Sequence, residues 1–173
     1  MALQFIVEDG SGLATATSYI AEADAEQYFE NRPNHANIAS WTAALSAAKQ
    51  GALVEGTAWL DQGYVWKVGV KGSADQALDW PRTGAYDAEG YAIAIDEVPV
   101  AVERATCEVA IRILAGETFS PDKDAAVDGV KLGPLEVDFF GDGRSAKGKT
   151  FPAIDQILRG LVKGGNVRTL QRG

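Results

Sequence analysis

A mainly α-helical domain with a minor β component is the fold class this sequence predicts, and three observations predict it. Apolar residues recur at three- and four-residue spacings over 22–31, 40–61 and 96–115, which is helical periodicity. Alternation with period two is confined to 130–140. The length of 173 residues, 46% of them hydrophobic, suits one core of ordinary size. The expected architecture is a small helical bundle with a β-hairpin, forming a single domain over residues 1–163. It opens with an extended N-terminal arm (1–20) and ends in a flexible C-terminal tail (164–173).

Residues 1–20 have no helical period. Gly10 and Gly12 interrupt them, and Thr15, Thr17 and Tyr19 favour extended backbone, so an arm with one or two short strands is expected. Glu22 to Asn31 suits a short helix with Ala25, Tyr28 and Phe29 as its apolar stripe, stopped by Pro33. Ser40 is a good N-cap for a second helix running to about Asp61, with Trp41, Leu45, Ala48, Ala52 and Trp59 on one stripe. Gly51 and Gly56 inside it each cost up to ~1 kcal/mol relative to alanine, tolerable where another backbone packs closely. Residues 62–96 are rich in Gly and Asp, and their aromatics, Trp66, Trp80, Tyr86 and Tyr91, are expected to dock on the helices and fix the path of a long loop.

Asp96 and Pro99 mark the start of the strongest helix. Val98, Val102, Ala105, Val109 and Ile113 form its stripe, Ile111 and Leu114 widen it, Glu108 and Arg112 pair at i,i+4, and Gly116 stops it. Residues 117–129 read as an acidic loop. From Val130 to Phe140, Leu135, Val137 and Phe139 share one face and Glu136, Asp138 and Phe140 the other. Gly133-Pro134 supplies a turn, so a hairpin is expected. After a Gly/Lys loop over 141–150, Pro152 opens a last helix with Ile154, Ile157, Leu158 and Leu161 on one face, ended by Gly164-Gly165.

Charge is unevenly spread. Residues 1–144 carry 10 basic and 23 acidic side chains, while residues 145–173 carry six basic residues and the single acid Asp155. An acidic body repels a phosphate backbone, because affinity for nucleic acid rests on Lys and Arg. The basic tail is either a docking element for an acidic protein surface or a solvated segment. No stretch approaches the roughly 18 apolar residues that cross a bilayer, so no membrane association is expected. The opening Met1-Ala2-Leu3-Gln4-Phe5 lacks the features of a signal peptide. A lone cysteine, Cys107, is consistent with folding in a reducing, intracellular compartment.

Reactive chemistry is sparse. Gly143-Arg144-Ser145-Ala146-Lys147-Gly148-Lys149-Thr150 fits the phosphate-binding pattern G-x-x-x-x-G-K-[ST]. Its context fails: the strand before it alternates, Pro152 removes an N–H where a helix should already run, and too little chain follows for an acidic metal ligand. Asp122, Asp124 and Asp128 resemble the start of a calcium loop, but Ala126 replaces one ligand and Gly133 stands where the bidentate Glu belongs. His35 and Cys107, one of each, cannot form a zinc site of ordinary type within one chain. His35 is expected to be solvated in a polar loop, and Cys107 to be a small packing residue. With one histidine and no G-x-S-x-G elbow there is no nucleophile–base pair. The expectation is a non-enzymatic protein with no cofactor and no metal.

Two stretches carry a family resemblance. One is Asp79-Trp80-Pro81-Arg82-Thr83-Gly84, with Asp87 to Gly90 and then Asp96-Glu97-Val98-Pro99 leading into a helix with Glu103, Ala105 and Ala110. The other is Lys131-Leu132-Gly133-Pro134-Leu135-Glu136-Val137, followed by Phe151-Pro152-Ala153-Ile154-Asp155. Val7-Glu8-Asp9-Gly10, Ser18-Tyr19 and Ala23-Asp24-Ala25 also fit, so the likeness spans about residues 5–162. The chain resembles phage proteins labelled DnaT-like single-stranded-DNA-binding proteins, which are similar in layout to head–tail connector adaptors. The connector likeness implies a structural virion protein of the neck, made in the host cytoplasm. It would be a subunit of a homo-oligomeric, twelve-fold ring joining portal to tail or nozzle proteins, with double-stranded DNA passing through the lumen ungripped. An acidic lumen suits such passage. Partner contacts are expected at Arg168, Leu170 and Arg172 in the tail and at Leu135, Val137 and Phe139 in the hairpin. Residues 13–20 and 130–140 are candidates to pair with a neighbouring subunit. The alternative is a single-stranded-DNA-binding replication accessory protein. It is disfavoured here by the acidic body and by tryptophans that read as core and loop anchors.

Overall fold

A computed structural model describes residues 3–117, 119, 130–132, 135–137 and 151–163. Five helices run in the order α1 (Glu22–Glu30), α2 (Ile38–Ala43), α3 (Ser46–Gly63), α4 (Val100–Leu114) and α5 (Pro152–Leu158). Between α3 and α4, β1 (Val70–Lys71) pairs antiparallel with β2 (Arg82–Thr83), and between α4 and α5, β3 (Val130–Leu132) pairs antiparallel with β4 (Leu135–Val137). The mainly helical class with minor β structure is therefore as the periodicities predict.

Helix α4 is the axis of the domain. One side, carrying Val102, Ala105 and Val109, packs with Leu60, Tyr64, Trp80, Ile154 and Leu158. The opposite side, carrying Cys107, Ala110 and Ile111, packs with Phe29, Trp41 and Leu53. The expected stripe describes the first side and, through Ile111 and Leu114, part of the second. On that second side the small Cys107 and Ala110 let the neighbouring helices approach. The α4 end is as expected: Gly116 adopts φ +81°, its N–H donates to the Ile113 carbonyl at 2.9 Å, and the Glu117 N–H donates to the Arg112 carbonyl at 2.9 Å. That is a Schellman motif, which requires left-handed backbone at the glycine.

The single helix expected over 40–61 is two helices, and Ser40 lies inside α2 rather than capping it. Ala44 (ψ 141°) and Leu45 (ψ 155°) are extended and break it, and Leu45 is 80% exposed rather than part of a buried stripe. Packing explains the break. In one straight helix Trp41 and Leu53 would lie roughly 18 Å apart along the axis, whereas the bend lets both join the cluster around Phe29. Trp41 then sits 4.6 Å from Phe29, centroid to centroid, and its indole N–H donates to Glu26 Oε2 at 3.0 Å.

Two further expectations are corrected. The N-terminal segment does not reach outward. Ala16, Ser18, Tyr19 and Ile20 are buried, and Val7 forms a parallel bridge with Ser18. The buried Glu8 carboxylate accepts from the N–H groups of Gly10, Gly12 and Leu13 at 2.8–3.0 Å, curling the chain back on its own domain. Residues 13–20 are thus committed within this chain. At the other end, α5 stops at Leu158, and Leu161 follows in a turn whose backbone bridges to the 65–67 segment. The expected hairpin is present as β3–β4, with Leu132 opposite Leu135 and Val130 opposite Val137.

Two glycines of α3 test the packing with opposite signs. A Cβ on Gly56 would lie 3.2 Å from the Thr106 carbonyl oxygen and 3.4 Å from Val109 Cβ, whereas nothing lies within 4 Å of one on Gly51. Gly51→Ala should raise stability by about 0.5–1 kcal/mol, and Gly56→Leu should lower it by about 1–3 kcal/mol or more through overpacking. Urea denaturation of the two variants measures both.

Candidate functional site

The Asp79-Trp80-Pro81-Arg82 stretch forms a node that holds the 62–96 segment against the helices. The Tyr19 hydroxyl donates to Asp61 Oδ1 at 2.5 Å and accepts from the backbone N–H groups of Asp79 and Trp80 at 3.0 and 3.2 Å. Asp61 Oδ2 accepts from the Asp79 N–H at 3.0 Å. Asp79 in turn takes the Trp66 indole N–H at 3.1 Å and lies 3.6 Å from Lys71 Nζ. Arg82 donates to the carbonyls of Val68, Gly69 and Asp79. The Trp80–Pro81 peptide is cis. Trp66 and Trp80 are buried and meet edge to face at 5.6 Å. Two of the four loop aromatics thus dock as expected, while Tyr86 and Tyr91 stay 52% and 74% exposed.

Burial pushes the Asp61 carboxyl up to about 7. The hydrogen bonds from Tyr19 and the Asp79 N–H oppose that rise, and the Asp79 charge adds to it. The Tyr19 hydroxyl is raised well above its ordinary value by burial and by the Asp61 charge. The node is a pair of poorly solvated acids sharing backbone donors, with no nucleophile beside them.

A second polar cluster lies against α4. Buried Glu108 takes the Tyr28 hydroxyl at 2.9 Å and Arg112 at 2.6 Å, with His35 Nε2 at 3.3 Å. Burial alone would raise the Glu108 carboxyl, but the hydrogen bonds of Arg112 and Tyr28 outweigh it and hold the group below its ordinary value. His35, expected to be solvated, is instead packed edge-on against Phe29 at 6.0 Å. Its Nδ1 accepts from the Asn37 N–H, which assigns the proton to Nε2 facing Glu108. Cys107 is fully buried, as expected of a packing residue, and burial raises its thiol far above the reactive range.

Among the described residues the exposed cations without an ion-pair partner include Arg104, on α4, and three that lie toward the end of α5 and the segment it adjoins. Lys71, Lys49, Arg112 and Arg82 are engaged by Asp79, Glu26, Glu108 and backbone carbonyls. Lys67, Arg159 and Lys163 are exposed and, among the described residues, form no ion pair. Lys67 and Lys163 flank the Trp66–Val162 bridge, where the Lys67 N–H donates to the Leu161 carbonyl at 3.0 Å and the Lys163 N–H to the Val65 carbonyl at 2.8 Å, and Arg159 directly follows α5. The chain runs directly from this edge into the segment bearing Arg168 and Arg172. The basic segment is legible in the sequence but its root is not, because Lys67 lies 96 positions from Lys163 and only the backbone pairing of 65–67 with 161–163 joins them.

Of the residues expected at partner contacts, Leu135 and Val137 lie in β4, two positions apart on one strand. Phe139, Arg168, Leu170 and Arg172 lie outside the described residues, as do the phosphate-loop look-alike (143–150) and Asp122, Asp124 and Asp128 of the calcium-loop look-alike. Among the described residues no group of three or more His, Cys, Asp or Glu could hold a metal ion, and no helix is long and apolar enough to cross a membrane.

The family model described as "Putative DnaT-like ssDNA binding protein" matches residues 3–173, and the chain belongs to that family. No curated protein and no solved structure is significantly similar to it. The family's description agrees with the single-strand-binding alternative of the sequence reading, and none of these findings speaks for a place in a virion.

The Asp61 node generates a pH dependence. Its folded-state pKa of about 7 lies above the ordinary 3.8, so the folded chain keeps a proton that the unfolded chain releases. Stability should therefore fall as pH rises from about 4 through about 7. Melting temperatures across pH 4.5–8 should decline more steeply for the wild type than for Asp61→Asn; parallel curves would contradict the assignment.

Proposed function

We propose that this chain is a non-enzymatic accessory protein that binds single-stranded nucleic acid electrostatically, without reading sequence. The observation that carries this reading is the unpaired basic edge of Lys67, Arg159 and Lys163, which is continuous in sequence with Arg168 and Arg172. Family membership supports it. The affinity is modest by construction. Trp41, Trp66 and Trp80 are buried and Trp59 is half-buried among Tyr64, Phe119 and Phe151, so no tryptophan offers the stacking face that tight single-strand binders use. Among the described residues Tyr86 and Tyr91 are the exposed rings. Attraction is left to exposed cations, and salt disrupts it. Fluorescence anisotropy with an oligothymidine should give a log–log salt slope of about −3.5 for phosphate contacts by the five cations named, reckoned at about −0.7 per contact. Lys67→Glu/Lys163→Glu should abolish binding. A flat wild-type titration at low salt removes the proposal.

A second reading, a head–tail connector ring subunit of a tailed phage, is favoured by one observation. The described surface away from that edge is rich in carboxylates, and its tryptophans serve the core. A ring with acidic walls would let duplex DNA slide through without adhering. On this reading purified virion necks contain the chain as a ring, twelve-fold by the resemblance, between portal and tail proteins. Negative-stain images and mass measurement test it, and absence of the chain from virions ends it.

A further inference from the structure

We infer that the groove between the 85–97 loop, the start of α4 and the end of α5 is a peptide-docking site, and that its occupant is residues 164–173 of the same chain. The groove encloses about 380 Å³. Its apolar floor is Ile93, Pro99, Ala101, Ile157 and Leu161, and Asp87, Glu89 and Glu97 stand on its rim. Among the described residues none of these three carboxylates has an ion-pair partner. Val100, at 50% exposed, also lines the groove, and Tyr91 and Ile95, at 74% and 64%, lie on the same loop, which makes this side unusually apolar for a solvent face.

The groove is preformed. Asp87 Oδ1 accepts from the N–H groups of Glu89 and Tyr91 at 2.9 and 2.8 Å, and Tyr86 bridges Ala92, closing the loop on itself. Gly160 seats the loop on the end of α5: a Cβ there would lie 2.8 Å from Ala88 Cβ. The site therefore binds without first paying to order its own walls.

Charge and chain length select the occupant. An apolar floor ringed by three carboxylates without ion-pair partners among the described residues fits a peptide that alternates cationic and apolar side chains, and Arg168-Thr169-Leu170-Gln171-Arg172 supplies two guanidiniums flanking a leucine. In extended backbone these three side chains share one face, so Leu170 can face the floor while both guanidiniums reach the rim. The segment starts beside the site, since Leu161 lines the groove and Lys163 is two residues on. Seven residues from Gly164 to Leu170 span at most roughly 23 Å, enough to turn back. An intramolecular ligand acts at an effective concentration of order mM, so even an intrinsic Kd of ~0.1 mM gives about tenfold occupancy over the free segment.

The inference stands whether or not the chain binds DNA, and its test needs none. Trypsin cleavage after Arg168 in the full-length chain should be about tenfold slower than in a synthetic peptide of residues 160–173. Glu89→Gln/Glu97→Gln should raise the full-length rate to that of the peptide while the melting temperature stays unchanged. Amide resonances of Ile93, Ala101 and Ile157 should shift in Arg168→Glu/Leu170→Asp/Arg172→Glu, independently of protein concentration. Equal cleavage rates in chain and peptide, or shifts that vanish on dilution and so report a second copy's segment, overturn it.

Discussion

A helix buried on both sides allows little freedom to anything packed against it, and α4 is such a helix. Eight of its fifteen residues are buried. The side facing α3 must admit another backbone, which Gly56 provides by coming close to the Thr106 carbonyl. The side facing α1 and α2 must be small, which Cys107 and Ala110 provide. Its polar groups cannot be left unmatched, because a buried, unpaired carboxylate costs several kcal/mol. The Thr106 hydroxyl therefore returns to the Val102 carbonyl, and Glu108 gathers Tyr28, His35 and Arg112. Those Glu108 contacts also tie the loop after α1 to the core, so one demand of α4 burial fixes the approach of α1 and α2.

The same economy governs residues 62–96, which have no helix beyond Gly63 and only four strand residues. Their order comes from side chains that answer backbone groups. Tyr19 and Asp61 accept the N–H groups of Asp79 and Trp80, and Arg82 donates to three carbonyls. Gln76 donates to the Leu78 and Pro81 carbonyls and accepts from the Ser73 N–H. An irregular segment can be as rigid as a helix when its backbone polar groups are satisfied in this way. That rigidity gives the exposed parts a defined place: the Lys67 edge on one flank and the carboxylate-rimmed 85–97 loop on the other.

Electrostatically the domain separates its signs. Among the described residues most cations before α5 have internal partners, Arg104 on α4 has no ion pair, and Lys67 and Lys163 come together where α5 gives way to the basic segment. On the proposed reading such a protein would meet a polyanion through that edge, and its acidic surface would repel the rest of the polymer. This geometry suits light contact with nucleic acid rather than a deep groove. It also reconciles the family's description with an acidic composition that by itself argues against DNA binding.

Period and punctuation carried most of the helical fold. Ala25 and Phe29, the Glu108–Arg112 pair, the Gly116 stop, Pro152 at the head of α5 and the Val130–Val137 alternation are local signals, because a helix or hairpin states its own repeat within a dozen residues. What local signals could not state was where elements turn. The break at Ala44–Leu45 carries no proline or glycine and exists because Trp41 and Leu53 share one cluster. The N-terminal segment reads as an arm until Tyr19 is seen between Asp61 and Trp80. The basic edge joins Lys67 to Lys163, and the groove joins Glu89 to Leu161, across gaps that no periodicity spans. Chemistry absent from the chain, such as a second histidine or cysteine, is legible at once. The sites are contacts between distant residues, and their proximity is set by packing around α4.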